Sequence, residues 1–83
     1  MGRQVKRRAP QSELGMALRR AFARNVRQFR RQKGMTQNEL ACAAGLGRCF
    51  VSQIERGRFS ATLETVAALS VALGICPTLL IRA

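Results

Sequence analysis

The chain has 83 residues, 47% of them hydrophobic, so one domain near the lower size limit of independent stability is expected rather than a disordered segment. Fifteen Lys and Arg against four Asp and Glu give a formal charge of +11, and the isoelectric point is about 11.8. An excess of this size repels itself in the folded state and points to a polyanionic partner; a solvated basic surface and an anionic membrane surface are the competing readings.

The charge is unevenly placed. Residues 1–33 hold eleven basic side chains and one acid, Glu13, whereas residues 34–83 hold Arg48, Arg56, Arg58 and Arg82 against Glu39, Glu55 and Glu64. No apolar run approaches the ~20 residues that span a bilayer. The charged N-terminus from Met1 to Arg8 has no apolar stretch behind it, so neither a membrane span nor a secretory signal is expected. Cys42, Cys49 and Cys76 are widely spaced and there is no His, which leaves no zinc-ligand pattern and fits a reducing cytoplasm. Cys42 and Cys76 are expected as small core residues. With no His, no paired acids and no phosphate loop, neither catalysis nor a cofactor is expected.

In chain order, residues 1–11 read as a flexible basic arm and residues 12–83 as the folded domain. Ser12 is placed to cap a first helix with Glu13 in its first turn. Leu14, Leu18, Phe22, Val26 and Phe29 recur at helical spacing as one apolar stripe, with arginines over much of the remaining surface, and Gly34 stops the helix. Thr36-Gln37-Asn38-Glu39 matches a capping box for a second, short helix with Leu40 and Ala43 or Ala44 inward. Gly45-Leu46-Gly47 forms a tight turn. A third helix is expected from about Arg48 to Arg56, with Val51 and Ile54 inward. Thr62 caps a fourth, reaching about Leu73, whose inner face draws on Leu63, Val66, Ala67, Leu69, Ser70 and Leu73. Gly74 ends it, and Pro77 suits the first turn of a last helix, Pro77–Ile81. The fold expected is all-α, a five-helix bundle.

Two short helices joined by a three-residue turn are the feature that carries chemistry. A small Ala41 permits a close crossing, Gly45 permits a left-handed turn, and Leu46, Val51 and Ile54 lock the second helix on the first. The blocks Gly34-Met35-Thr36-Gln37 and Ser52-Gln53-Ile54-Glu55-Arg56-Gly57 resemble those of the phage-repressor-like helix-turn-helix regulators, the XRE or Cro/C1 family, over about Phe22 to Ile81.

That resemblance implies a lambda-repressor-like DNA-binding domain whose helix from Arg48 lies in the major groove. Arg48, Cys49, Ser52 and Gln53 then take base-contacting positions; Arg48 suits guanine and Gln53 adenine, while Ser52 serves equally for a phosphate. Gln37 matches a phosphate-binding position at a helix N-terminus. Arg56 and Arg58 are further phosphate candidates, as are Arg7 and Arg8 of the arm, alongside Arg3 and Lys6. Arg30 and Glu55 match a largely buried ion pair. Phe50 either touches the DNA or packs on the bundle. Because the chain ends just after its fifth helix, dimerisation is expected to use the bundle itself, with Leu79 and Ile81 as contacts. The implied partners are double-stranded DNA and a second copy of the chain. The competing functions are an antitoxin or adaptor whose main partner is another protein, and a general architectural DNA binder.

Overall fold

The computed structural model describes residues 8–83, with side chains from Glu13 onward. Among the described residues there are five helices and no strand: α1 (Arg8–Gln32), α2 (Gln37–Ala44), α3 (Arg48–Glu55), α4 (Leu63–Leu73) and α5 (Thr78–Ile81). Residues 1–7 of the expected arm lie outside the described residues. The helix begins at Arg8, so Ser12 is inside it and does not cap it, and Glu13 is beyond its first turn. Pro10 is compatible with this earlier start, because proline is tolerated in a first helical turn.

α1 is about 37 Å long at 1.5 Å per residue, whereas the eleven residues of α4 cover only about 16 Å. The domain therefore covers only part of α1. Ala21, Phe22, Ala23, Asn25 and Val26 are buried, but Leu14 and Leu18, members of the same apolar stripe, are 61% and 43% exposed. The molecule is correspondingly elongated, 48 × 22 × 19 Å.

The core joins Phe22 and Val26 of α1, Leu40 and Ala41 of α2, Val51 and Ile54 of α3, Val66, Leu69 and Leu73 of α4, and Leu80 of α5. In α4, Thr62 accepts the Thr65 N–H at 3.1 Å and fixes the helix start as expected. The inner face of α4 differs from the apolar pattern: Leu63 is 83% exposed and Ala67 is exposed, while Thr65 is buried. Leu63 is the first residue of α4, where its side chain meets solvent, and the Thr65 hydroxyl lies 3.1 Å from that of Thr62. Pro77 sits at the N-cap of α5 rather than inside it. Asn25, buried in α1, holds the end of the chain by donating to the carbonyls of Leu80 at 2.9 Å and Arg82 at 2.8 Å.

Candidate nucleic-acid interface

The start of α2 is set by local chemistry. The Thr36 hydroxyl accepts the Glu39 N–H at 3.0 Å, and the Glu39 carboxylate accepts the Thr36 N–H at 2.9 Å, satisfying two otherwise unpaired donors. At the other end Gly45 adopts φ 70°, ψ 31°, and the N–H groups of Gly45 and Leu46 bond back to the carbonyls of Cys42 and Ala41. This left-handed closure lets α3 begin with only three residues between it and α2, the half-buried Leu46 among them packed on the core.

α3 buries Val51, Ile54 and Glu55. With 3.6 residues per turn, Arg48, Cys49, Ser52 and Gln53 share the opposite face. Arg48 and Cys49 are exposed and Ser52 and Gln53 half-buried. No hydrogen bond occupies any of these four side chains among the described residues. The face thus offers a guanidinium, an amide and a hydroxyl within two turns, the donor and acceptor types that read base edges. Phe50, between the two faces, packs against the core and against Phe59, the ring centroids 5.6 Å apart.

Behind this face lies the ion pair. Arg30 donates from Nε to Glu55 Oε2 at 2.6 Å and from Nη2 to Glu55 Oε1 at 3.0 Å, a bidentate arrangement with side chains 12% and 2% exposed. Arg30 Nη1 also donates to the Met35 carbonyl at 2.8 Å. The hydrogen bond and charge of Glu55 hold the guanidinium above its ordinary pKa against the opposing effect of desolvation. The Gln37 amide donates to Glu55 Oε1 at 3.1 Å, so this half-buried residue, expected at a phosphate, also braces the carboxylate.

The remaining candidates are dispersed. Arg56 caps the C-terminus of α3, Arg58 lies in the loop beyond it, and both are exposed. Arg8 starts α1, while Arg7, like Arg3 and Lys6, lies outside the described residues. Leu79 and Ile81 diverge: Leu79 lines a shallow depression with Asn25, Gln28 and Phe29, and Ile81 lines a separate groove of about 190 Å³ with Leu18, Phe22 and Phe59. Cys42 and Cys76, expected in the core, are exposed, as is Cys49. The inward positions of α2 go to Leu40 and Ala41, and Cys76 stands in the link before α5, where the Thr78 hydroxyl lies 3.2 Å away and lowers the thiol pKa.

The sequence profile of the HTH_3 family, described as helix-turn-helix, matches residues 26–80. The chain belongs to the XRE-type helix-turn-helix transcription regulators. A hypothetical transcription factor of Neisseria meningitidis is 43% identical over 58 residues, covering 70% of this chain and 55% of that protein, so the chain spans little more than half of that relative. Control protein C.BamHI of Bacillus amyloliquefaciens is 39% identical over 61 residues, covering 72% and 75%. The crystal structure of the restriction-modification controller protein C.AhdI of Aeromonas hydrophila superposes with a TM-score of 0.75 at 36% identity, over 77% of this chain and 97% of that one.

Two residues of this XRE-type site carry no signal in the sequence pattern. Arg27 donates from Nη1 to the Glu55 carbonyl at 2.7 Å, and Asn25 anchors α5. Both bonds end on main-chain carbonyls distant in sequence, which no local pattern marks. Among the described residues no helix is long and apolar enough to cross a membrane, and no three metal-ligating side chains cluster.

Proposed function

We propose that this XRE-type regulator binds double-stranded DNA sequence-specifically, as a homodimer on a palindromic operator, and acts as a repressor or autoregulator. The observation that carries the reading is the row Arg48, Cys49, Ser52 and Gln53, unengaged on the outer face of α3 while Val51, Ile54 and Glu55 hold the helix from behind. In this reading Arg48 pairs with guanine, Gln53 with adenine, and Cys49 meets a thymine methyl. Gln37 at the start of α2, Arg56 and Arg58 after α3, and Arg7 and Arg8 before the domain meet phosphates and set the register without selecting sequence. A two-fold contact near the C-terminus, at the depression that Leu79 lines or the groove that Ile81 lines, sets two copies of α3 about 34 Å apart, one turn of DNA.

Selection of bound duplexes from a random pool at about 0.15–0.2 M salt, where purely electrostatic binding is weak, tests this reading. Enrichment of a palindrome with half-sites one helical turn apart, bound by two chains, is the expected result. Binding that collapses on every sequence as salt rises overturns it. The second reading, a main partner that is another protein, rests on exposed Leu14, Met16 and Leu18 along α1. It predicts failure of the same selection.

A further inference from the structure

We propose that Arg20, Arg24, Arg27 and Arg31 of α1 form a phosphate-binding rail that carries the DNA contact beyond the recognition helix, an inference that rests on the DNA-binding reading above. The four occupy positions i, i+4, i+7 and i+11. At about 100° per residue they fall within a sector of about 60°, a single row about 16 Å long. Arg20, Arg24 and Arg31 are exposed and Arg27 is half-buried.

The row joins the end of α3. Arg20, Arg24 and Arg27 line an open cleft of about 310 Å³ with Arg56, floored by Ala23, Glu55 and Gly57. Arg24, Arg27 and Arg31 line a second of about 450 Å³ with Gln28 and Gln32. Arg27 ties the row to the recognition helix through its 2.7 Å bond to the Glu55 carbonyl. The basic surface is therefore continuous from the C-terminal end of α3 along α1.

The row has no counter-charge of its own. The nearby Glu55 carboxylate is committed to Arg30 and Gln37, and the one acid described on α1, Glu13, stands two turns before Arg20. Like charges three and four residues apart destabilise a helix, and an anion of comparable length neutralises all four at once. The open, arginine-lined clefts give a small ligand little apolar wall. A sugar-phosphate backbone supplies evenly spaced oxygens that guanidinium groups grip in pairs.

The test uses the full chain and the duplex enriched by the selection above. R20Q/R24Q/R31Q leaves Arg27 on Glu55 and removes three charges. The slope of log affinity against log salt is expected to shallow by roughly 2–3 per chain, about 5 for the two-chain complex, at about 0.9 per lost phosphate contact, with base preference unchanged. Backbone protection in a hydroxyl-radical footprint should shorten beside each half-site. R20K/R24K/R31K should keep most of the slope, which a merely structural role for the arginines would not predict. Circular dichroism melting confirms that each variant folds; should the triple Gln variant not fold, R24Q alone is expected to shallow the slope by about one per chain, about two for the complex.

An unchanged slope and footprint in a folded Gln variant overturns the rail while sequence-specific binding stands. A wild type that enriches no duplex, whose Gln variant still shows the shallower slope on random-sequence DNA, supports the rail and overturns the operator reading. Loss of binding to phosphatidylserine vesicles with the DNA slope unchanged assigns the row to a membrane surface and overturns the proposal.

Discussion

Gln37, the first residue of α2, donates its side-chain amide to the carboxylate of Glu55, the last residue of α3, across 3.1 Å. The two helices of the motif are thereby fastened at their far ends as well as at the turn between them. Since Arg30 holds the same carboxylate from α1, three helices converge on one buried acid.

Removing that acid leaves the Arg30 guanidinium, 12% exposed, without its counter-charge. Glu55→Ala is expected to cost about 3–5 kcal/mol in urea denaturation, because the remaining buried charge is uncompensated. Replacing Arg30 and Glu55 together with Met and Leu should recover much of the loss. A double variant as unstable as the sum of the two single changes would count against a coupled pair.

Arg48 and Arg58 are expected to differ in kind. Arg48→Ala should relax base preference at one position per half-site, by roughly 1–3 kcal/mol. Arg58→Ala should weaken all sequences alike and shallow the salt slope by about one unit per half-site. Competition titrations with single-base variants of the selected duplex separate the two; uniform losses for Arg48→Ala would remove it from base readout.

Gly45 isolates a backbone effect. Its φ is 70°, and a Cβ built on it meets nothing within 4 Å, so any cost of substitution comes from the left-handed conformation itself. Gly45→Ala should lower stability by roughly 1–2 kcal/mol, while Gly45→Asn, better tolerated in that region, should cost less. Equal losses for the two in thermal melts would contradict this account.

Asn25→Ala deprives the Leu80 and Arg82 carbonyls of their 2.9 and 2.8 Å donor. A loss of about 1–3 kcal/mol is expected, with faster hydrogen exchange concentrated in α5. If α5 carries the two-fold contact, the same variant should dissociate at lower dilution in sedimentation runs.

What the sequence discloses here is local. Thr36 with Glu39, Thr62 and Gly45 each act within a few residues of themselves, and the structure places all of them as their spacing implies. The three-residue turn follows from the glycine spacing, whereas the Arg30–Glu55 pair is implied only by the family resemblance. The start of α1 is misjudged because Ser12 resembles a cap although the backbone already turns at Arg8. Exposure is harder still. Periodicity groups Leu14 with Val26 on one face, yet says nothing about whether a neighbour reaches that far, and none covers Leu14. The bonds of Arg27 and Asn25 depend on carbonyls that only the assembled fold brings near.

From Glu13 to Arg20 no side chain of α1 is buried. Apart from the 3.3 Å bond of Arg19 to Ser60 and the groove edge at Leu18, this stretch depends on short-range terms, close to the regime of a free peptide, where helix–coil equilibria are shallow. Heating should erode it by gradual fraying, a sloping loss of ellipticity ahead of the sharp collapse of the remainder. One continuous rod of backbone thus contains two thermodynamic materials, joined near Ala21.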